Sequence, residues 1–125
     1  MDCYVDADFS GSLTAATSQD PNSVRSRSGY VITYVRCPIL WSSELQTEIA
    51  LSITEAEYIS LSQSLCDLIP IWKILQELCA TYGLSISAAT AHSTVFEDTK
   101  GCINLIAALI MRPCSHHIAI KYHHF

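Results

Sequence analysis

At 125 residues, half of them hydrophobic and only 15% charged, the chain has a single-domain length and enough apolar material for a real core, which excludes a disordered or tail-like segment. Twelve acidic against seven basic residues leave a net charge of −5, which argues against a stand-alone nucleic-acid binder; divalent metals or a neighbouring domain would have to supply much of the positive charge. No apolar run approaches the roughly 20 residues that span a bilayer, and the start, MDCYVDADFSG, has neither a basic n-region nor an apolar h-region, so an intracellular setting, cytoplasm or nucleus, is the default expectation.

Residues 2–6 alternate around Cys3 and Val5 and predict a short strand ending at Asp6 or just beyond. From Phe9 to Ser28 the chain is rich in Ser, Thr, Gly and Pro with little periodicity, a surface loop. GYVITYVRC (29–37) is β-branched and aromatic and predicts a second strand. Pro38 interrupts it; ILWSSEL and then TEIALSI resume extended character, so an antiparallel meander with a turn near Cys37-Pro38 is expected.

Thr54 is the predicted start of a long helix. Glu57, Leu61, Leu65, Leu68, Trp72, Leu75 and Cys79 recur at steps of three and four and form one stripe, and Gly83 ends the element. Pro70 inside the pattern costs ~3 kcal/mol in a plain helix interior, which predicts a kink near Cys66–Pro70 or two helices split there. STVFEDTKG then reads as a short buried strand ending in acids, and CINLIAALIM as a helix stopped by Arg112-Pro113. The tail has an extended core, Ile118 to Tyr122, between histidine pairs. The order strand, strand, strand, helix, strand, helix, strand is that of one α/β domain over residues 1–125.

The six cysteines are scattered without a C-x-x-C pair and read as reduced, small apolar residues. Cys114, His116, His117, His123 and His124 could be taken for a zinc module. A structural zinc site draws on paired ligand clusters, however, and His116 and His117 would point to opposite faces of an extended segment. With no G-x-G-x-x-G, a Rossmann-type nucleotide binder is set aside.

Three acids stand at element ends: Asp6 after the first strand, Glu57 in the first turn of the long helix and Asp98 after the fourth strand. In an α/β sheet ligands gather at strand carboxyl ends, and three carboxylates there would make an all-oxygen site for a hard cation. Each acid also has a plainer reading. Thr54 and Glu57 fit a capping box, Asp6 and Asp8 suit the turn into the loop, and Asp98 suits an N-cap. Taken singly, each acid favours the plainer role; only the joint pattern makes a case for the metal, and spacing alone does not decide for it.

YVDADFSG, SGYVITYVRCPILWSS, ALSITEAEYISLSQS, VFEDTKGCINL and HHIAIKYHHF occur in one order across nearly the entire chain. Together they resemble the ribonuclease H domain of copia-type retrotransposon polyproteins. The resemblance implies a ribonuclease H-like α/β fold, with a mixed five-stranded sheet, strands one to three antiparallel, and helices on both faces. It implies an endonuclease that uses Mg²⁺, two ions by expectation and Mn²⁺ as a substitute, to hydrolyse the RNA strand of RNA–DNA hybrids during reverse transcription. Asp6, Glu57 and Asp98 would be its metal-binding catalytic residues, with Glu55 a first-turn acid facing elsewhere. Asp8, Ser10, Thr99, Lys100, His117 and Lys121 become candidates for substrate contact, and the reverse transcriptase domain of the parent polyprotein a candidate partner.

Family members continue past YHHF through another strand and a helical element with a fourth carboxylate in an A-D-x-x-T-K-like stretch. The chain is therefore expected to be a C-terminally truncated copy without the last helix. Thr99 stands where Asn is usual, Ile53 where Ser or Thr is, and Cys114 and His116 where basic residues are. The alternative expectation is a catalytically inactive, retrotransposon-derived remnant that keeps the fold only.

Overall fold

The structure, a computed structural model, describes residues 1–11, 13–20, 22–83 and 92–107. Its elements in chain order are β1 (Asp2–Asp8), β2 (Arg27–Tyr34), β3 (Cys37–Leu45), α1 (Ile53–Tyr82), β4 (Thr94–Phe96) and α2 (Lys100–Ala107). The described strands form one four-stranded mixed sheet in the order β3-β2-β1-β4. β1 and β3 flank β2 antiparallel, while β4 runs parallel to β1 with Cys3 beside Val95. The chain is thus α/β with its first three strands antiparallel; the fifth strand, expected at Ile118 to Tyr122, lies outside the described residues.

Alternation along β1 buries Cys3, Val5 and Ala7 and exposes Tyr4, Asp6 and Asp8. Cys3, Val5 and Ile32 pack on Tyr58, Leu61 and Leu68 of α1 and on Cys102 and Leu105 of α2. Among the described residues both helices therefore lie on one face of the sheet, where helices on both faces were expected. The opposite face shows Tyr4, Val31, Trp41 and Phe96 to solvent, with Tyr4 and Phe96 stacked at 4.8 Å between ring centroids. A second cluster of small residues, Ala7, Ala50 and Ala56 with Ile59, lets the start of α1 approach the end of β1 closely.

Three local expectations are corrected. TEIALSI is not a strand: Ile49 and Leu51 are exposed, and the backbone amide of Leu51 is taken by the Glu55 carboxylate at 2.8 Å. The segment serves the entry to α1 instead. The helix itself is neither divided at Pro70 nor started at Thr54; it runs as one 30-residue element from Ile53 to Tyr82. Pro70 and Cys66, whose carbonyl loses its amide partner, both lie on the exposed side, where water can hydrogen-bond the freed group. The sequence stripe holds: Glu57, Leu61 and Leu68 are buried, and burial fades beyond Leu68.

The third correction concerns the hairpin. The β2–β3 turn is the two-residue Val35-Arg36, closed by the Tyr34–Cys37 pair, rather than Cys37-Pro38. Pro38 lies within β3, an edge strand, beside the irregularity that leaves Ile39 unpaired between Leu40 and Pro38; both are places where a missing amide is tolerated. Val35 and Arg36 take φ of 51° and 64°, the left-handed region that two-residue hairpins require. A β-branched residue is strained there. Replacing the pair with Val35→Asn and Arg36→Gly should stabilise the fold by about 1–2 kcal/mol, read as a higher urea midpoint at unchanged slope.

Candidate metal centre

The centre is built on the first turn of α1. Ser52 is the N-cap, extended at φ −154° and ψ 160°, and its hydroxyl accepts the Glu55 amide at 3.1 Å. Glu55 returns a carboxylate oxygen to the Leu51 amide, a reciprocal cap set two residues earlier than the Thr54–Glu57 pairing. Capping therefore engages Glu55 and leaves Glu57 free, facing inward and 4% exposed. The fully buried Gln46 holds this turn to the sheet by donating to the Ala56 carbonyl at 2.9 Å and to the Ser28 hydroxyl at 3.0 Å.

Asp6 sits near the end of β1, paired with Gly29 and exposed. One turn beyond Glu57, the hydroxyl of Ser60 donates to the Asp6 carbonyl at 2.9 Å, fixing helix against strand where the two acids meet. Asp98 follows β4, which its parallel pairing places beside β1. Thr99 supplies the carbonyl that accepts the first α2 amide, from Ile103, so the N-cap place belongs to Thr99 and not to Asp98. Gly101 then passes against the first turn of α1: a Cβ there would lie 2.6 Å from the Thr54 hydroxyl, and this close approach brings Asp98 towards Glu57.

Asp6, Glu57 and Asp98 each offer a carboxylate oxygen, and these oxygens all lie within 4.8 Å of one another. Glu57 is buried between two exposed partners, and its Oε2 is buried with no hydrogen-bond partner. Burial, then the charges of Glu97, Asp6 and Asp98, push the Glu57 carboxyl up to about 7; a hydrogen bond from the Thr99 side chain opposes this only in part. Three hard oxygen donors at this spacing, one with a buried and unsatisfied atom, fit a divalent cation such as Mg²⁺. Those three acids would hold it.

The remaining candidates separate. The Asp8 carboxylate packs on Gly11 so tightly that a Cβ there would lie 2.1 Å from its Oδ2, which ties it to the loop backbone. Ser10, at φ 50°, spends its amide on the Ser26 hydroxyl and its own hydroxyl on the Val24 carbonyl, pinning the loop after β1. Thr99 turns inward: its amide donates to Glu97 at 3.1 Å and its hydroxyl lies 3.4 Å from Asp98. Lys100 is exposed at the first residue of α2. His117 and Lys121, like the histidine-rich tail, lie outside the described residues.

Reading the sequence for acids at element ends misses Glu97, one residue before Asp98, and the anchoring roles of Ser60 and Gln46. Period-two alternation carries the signal for Glu97, because it shares the helix-facing side of β4 with the half-buried Val95. Ser60 and Gln46 carry none; their partners, the Asp6 carbonyl for Ser60 and the Ser28 hydroxyl and Ala56 carbonyl for Gln46, lie on other elements.

Comparison with known proteins adds relatives. Over 120 residues, 96% of the chain, it is 32% identical to the Retrovirus-related Pol polyprotein from transposon TNT 1-94 of Nicotiana tabacum. Over 123 residues, 98% of the chain, it is 31% identical to the corresponding polyproteins from transposons RE1 and RE2 of Arabidopsis thaliana. The chain spans only 7–8% of the length of these relatives. It is thus distantly homologous, along nearly all of its length, to retrotransposon Pol polyproteins. No protein-family model and no solved structure matches it. No helix among the described residues is long and apolar enough to cross a membrane.

The Glu57 carboxyl titrates near 7 when folded, against 4.5 ordinarily, so the folded state favours its neutral form. Its contribution to stability is then complete below about pH 4.5 and is lost as the pH rises towards 7. Metal-free protein should melt at progressively lower temperature across that window. Glu57→Gln should remove most of the slope, and Mg²⁺ added at pH 8 should restore much of the lost melting temperature.

Proposed function

We propose that this chain is a ribonuclease H-type nuclease, hydrolysing the RNA strand of RNA–DNA hybrids during reverse transcription of a copia-type retrotransposon. The observation that carries this reading is the meeting of Asp6, Glu57 and Asp98, distant along the chain, with carboxylate oxygens within 4.8 Å. Homology to retrotransposon Pol polyproteins supports it by providing a setting in which such hybrids arise.

Bound Mg²⁺ would supply the Lewis acidity that activates water and stabilises the departing 3′ oxygen of a phosphodiester. The rest falls to the protein. Asp6 and Asp98, both exposed, would hold the cation together with the buried Glu57. Ser60 and Gln46 keep that anchor in register by tying α1 to the sheet. Thr99 would orient Asp98, and Lys100, exposed beside it, would meet the nucleic-acid backbone. Because the whole chain carries −5, cation-neutralised acids and Lys100 cannot provide all of the phosphate attraction. The reverse transcriptase of the same polyprotein is the partner best placed to share substrate. Recognition would depend on A-form-like shape and 2′-hydroxyls more than on base edges.

A gel assay on an RNA–DNA hybrid with Mg²⁺ tests the reading. Asp6→Asn and Asp98→Asn should each lower cleavage by at least ~100-fold, and EDTA should abolish it. Equal background from parent and variants would establish instead the remnant that retains the fold without turnover.

A further inference from the structure

The face of the sheet turned away from the helices carries one residue from every described strand in a single row. Cross-strand pairing sets Trp41 beside Val31, Val31 beside Tyr4 and Tyr4 beside Phe96. The Tyr4 ring stacks on Phe96 with the two planes 9° apart, so its free face is turned towards β2 and β3. Trp41, 70% exposed, stands two strands away, about 10 Å at ordinary strand spacing. Between them runs a groove of about 410 Å³, floored by Val31 and Gly29 of β2 and lined also by Ser43 and by Asp6 of the three-acid cluster.

Gly29 has no backbone reason to be glycine. It lies mid-strand in regular pairing, away from the β2–β3 irregularity, and its φ is not in the left-handed region. A Cβ there would make only ordinary contacts, the nearest at 3.9 Å to the Asp6 carbonyl. Glycine inside a strand weakens it; where no bulge or bend explains it, the remaining cause is close approach by a ligand or another backbone. A side chain at 29 would share the open face with Val31 and fill the groove. An α-helix with its side chains is about 10–12 Å across and would ride over so narrow a slot, whereas a planar ring enters between two aromatic walls. We propose that this groove is a stacking slot for one unpaired nucleobase, held between Tyr4 and Trp41 beside the metal centre. The inference rests on the nuclease reading above and deepens it, adding a subsite for an unpaired nucleotide of the substrate. Four-stranded sheets whose exposed aromatics stack bases are a recurrent device for holding single strands. Stacking also needs no positive charge, which suits a chain of net charge −5.

Fluorescence titration of the full chain with a single-stranded deoxyadenylate hexamer in Mg²⁺ tests it, since a DNA strand is not what the proposed nuclease cuts. Trp72→Phe leaves Trp41 as the sole tryptophan. In that background the Trp41 emission should be quenched saturably by the hexamer. Tyr4→Leu and Gly29→Val should each weaken this binding about 5- to 100-fold, while Tyr4→Phe, which keeps the ring, binds as the parent does. Gly29→Val should melt no lower than the parent, because a β-branched residue suits a strand interior, so its loss of binding is not a loss of fold. Equal affinity in the parent, Tyr4→Leu and Gly29→Val, or no quenching at all, overturns the slot. Trp41 emission that changes with protein concentration alone, with a doubled mass in light scattering, assigns the face to a second copy and likewise overturns it. Cleavage of the hybrid is read separately in the gel assay. A failed slot therefore leaves the nuclease reading standing, and intact quenching without cleavage would keep the slot in a remnant without turnover.

Discussion

Burying the Glu57 carboxylate is the constraint on which the rest of this molecule turns. A lone ionised acid at 4% exposure is unfavourable unless something opposes its charge, and nothing among the described side chains does so fully. The surroundings nevertheless hold it in place. The cap is made by Ser52 and Glu55, so Glu57 is not drawn to the helix end. Small residues at Ala7, Ala50 and Ala56 bring α1 close to β1, and Ser60 and Gln46 fasten the two together. A fold optimised for stability alone would carry an apolar residue at position 57. A rule of consistency is broken at one place, with the neighbourhood arranged to maintain the breach, as the proposed metal-binding role would require.

Much of this was legible from residue order. The alternation of β1, the β-branched run of β2 and the stripe from Glu57 to Cys79 each follow from burial periodicity, and the structure places them as read, with small shifts of boundary. The three acids were legible only jointly, since each alone also fits a cap or a turn. What escaped had physical causes. TEIALSI looks extended because Ile49 and Leu51 are strand formers, but its backbone is committed to capping α1. The turn at Val35-Arg36 lacks Gly and Asn, the residues that announce a left-handed pair, and Pro38 is the stronger turn signal in the sequence. Pro70 signals a break by local chemistry, which a helix anchored along its first half and exposed at that point can absorb.

The electrostatic character of the site follows from the same arrangement. Two exposed acids and a buried one, with Glu97 behind, concentrate negative charge in a protein that already carries a surplus. Such a surface repels polyanions unless cations occupy it, so under the proposed function affinity for nucleic acid and affinity for metal would be one linked quantity. The inward turn of Thr99 contributes: its hydroxyl and amide lie among the acids and fix their orientation.

The parallel pairing of β4 with β1 has a kinetic corollary. Cys3 and Val95 come together across some ninety positions of chain, the longest loop closure among the described strand pairs, whereas the β2–β3 hairpin closes over two residues. Local elements form early, and contacts of long sequence separation are delayed by the entropy of closing the loop. Asp98 therefore reaches Asp6 late, against the repulsion of like charges gathering at the seam. A divalent ion present during renaturation would act at that last docking event, and refolding should be faster in its presence for a reason separate from any chemistry at phosphorus.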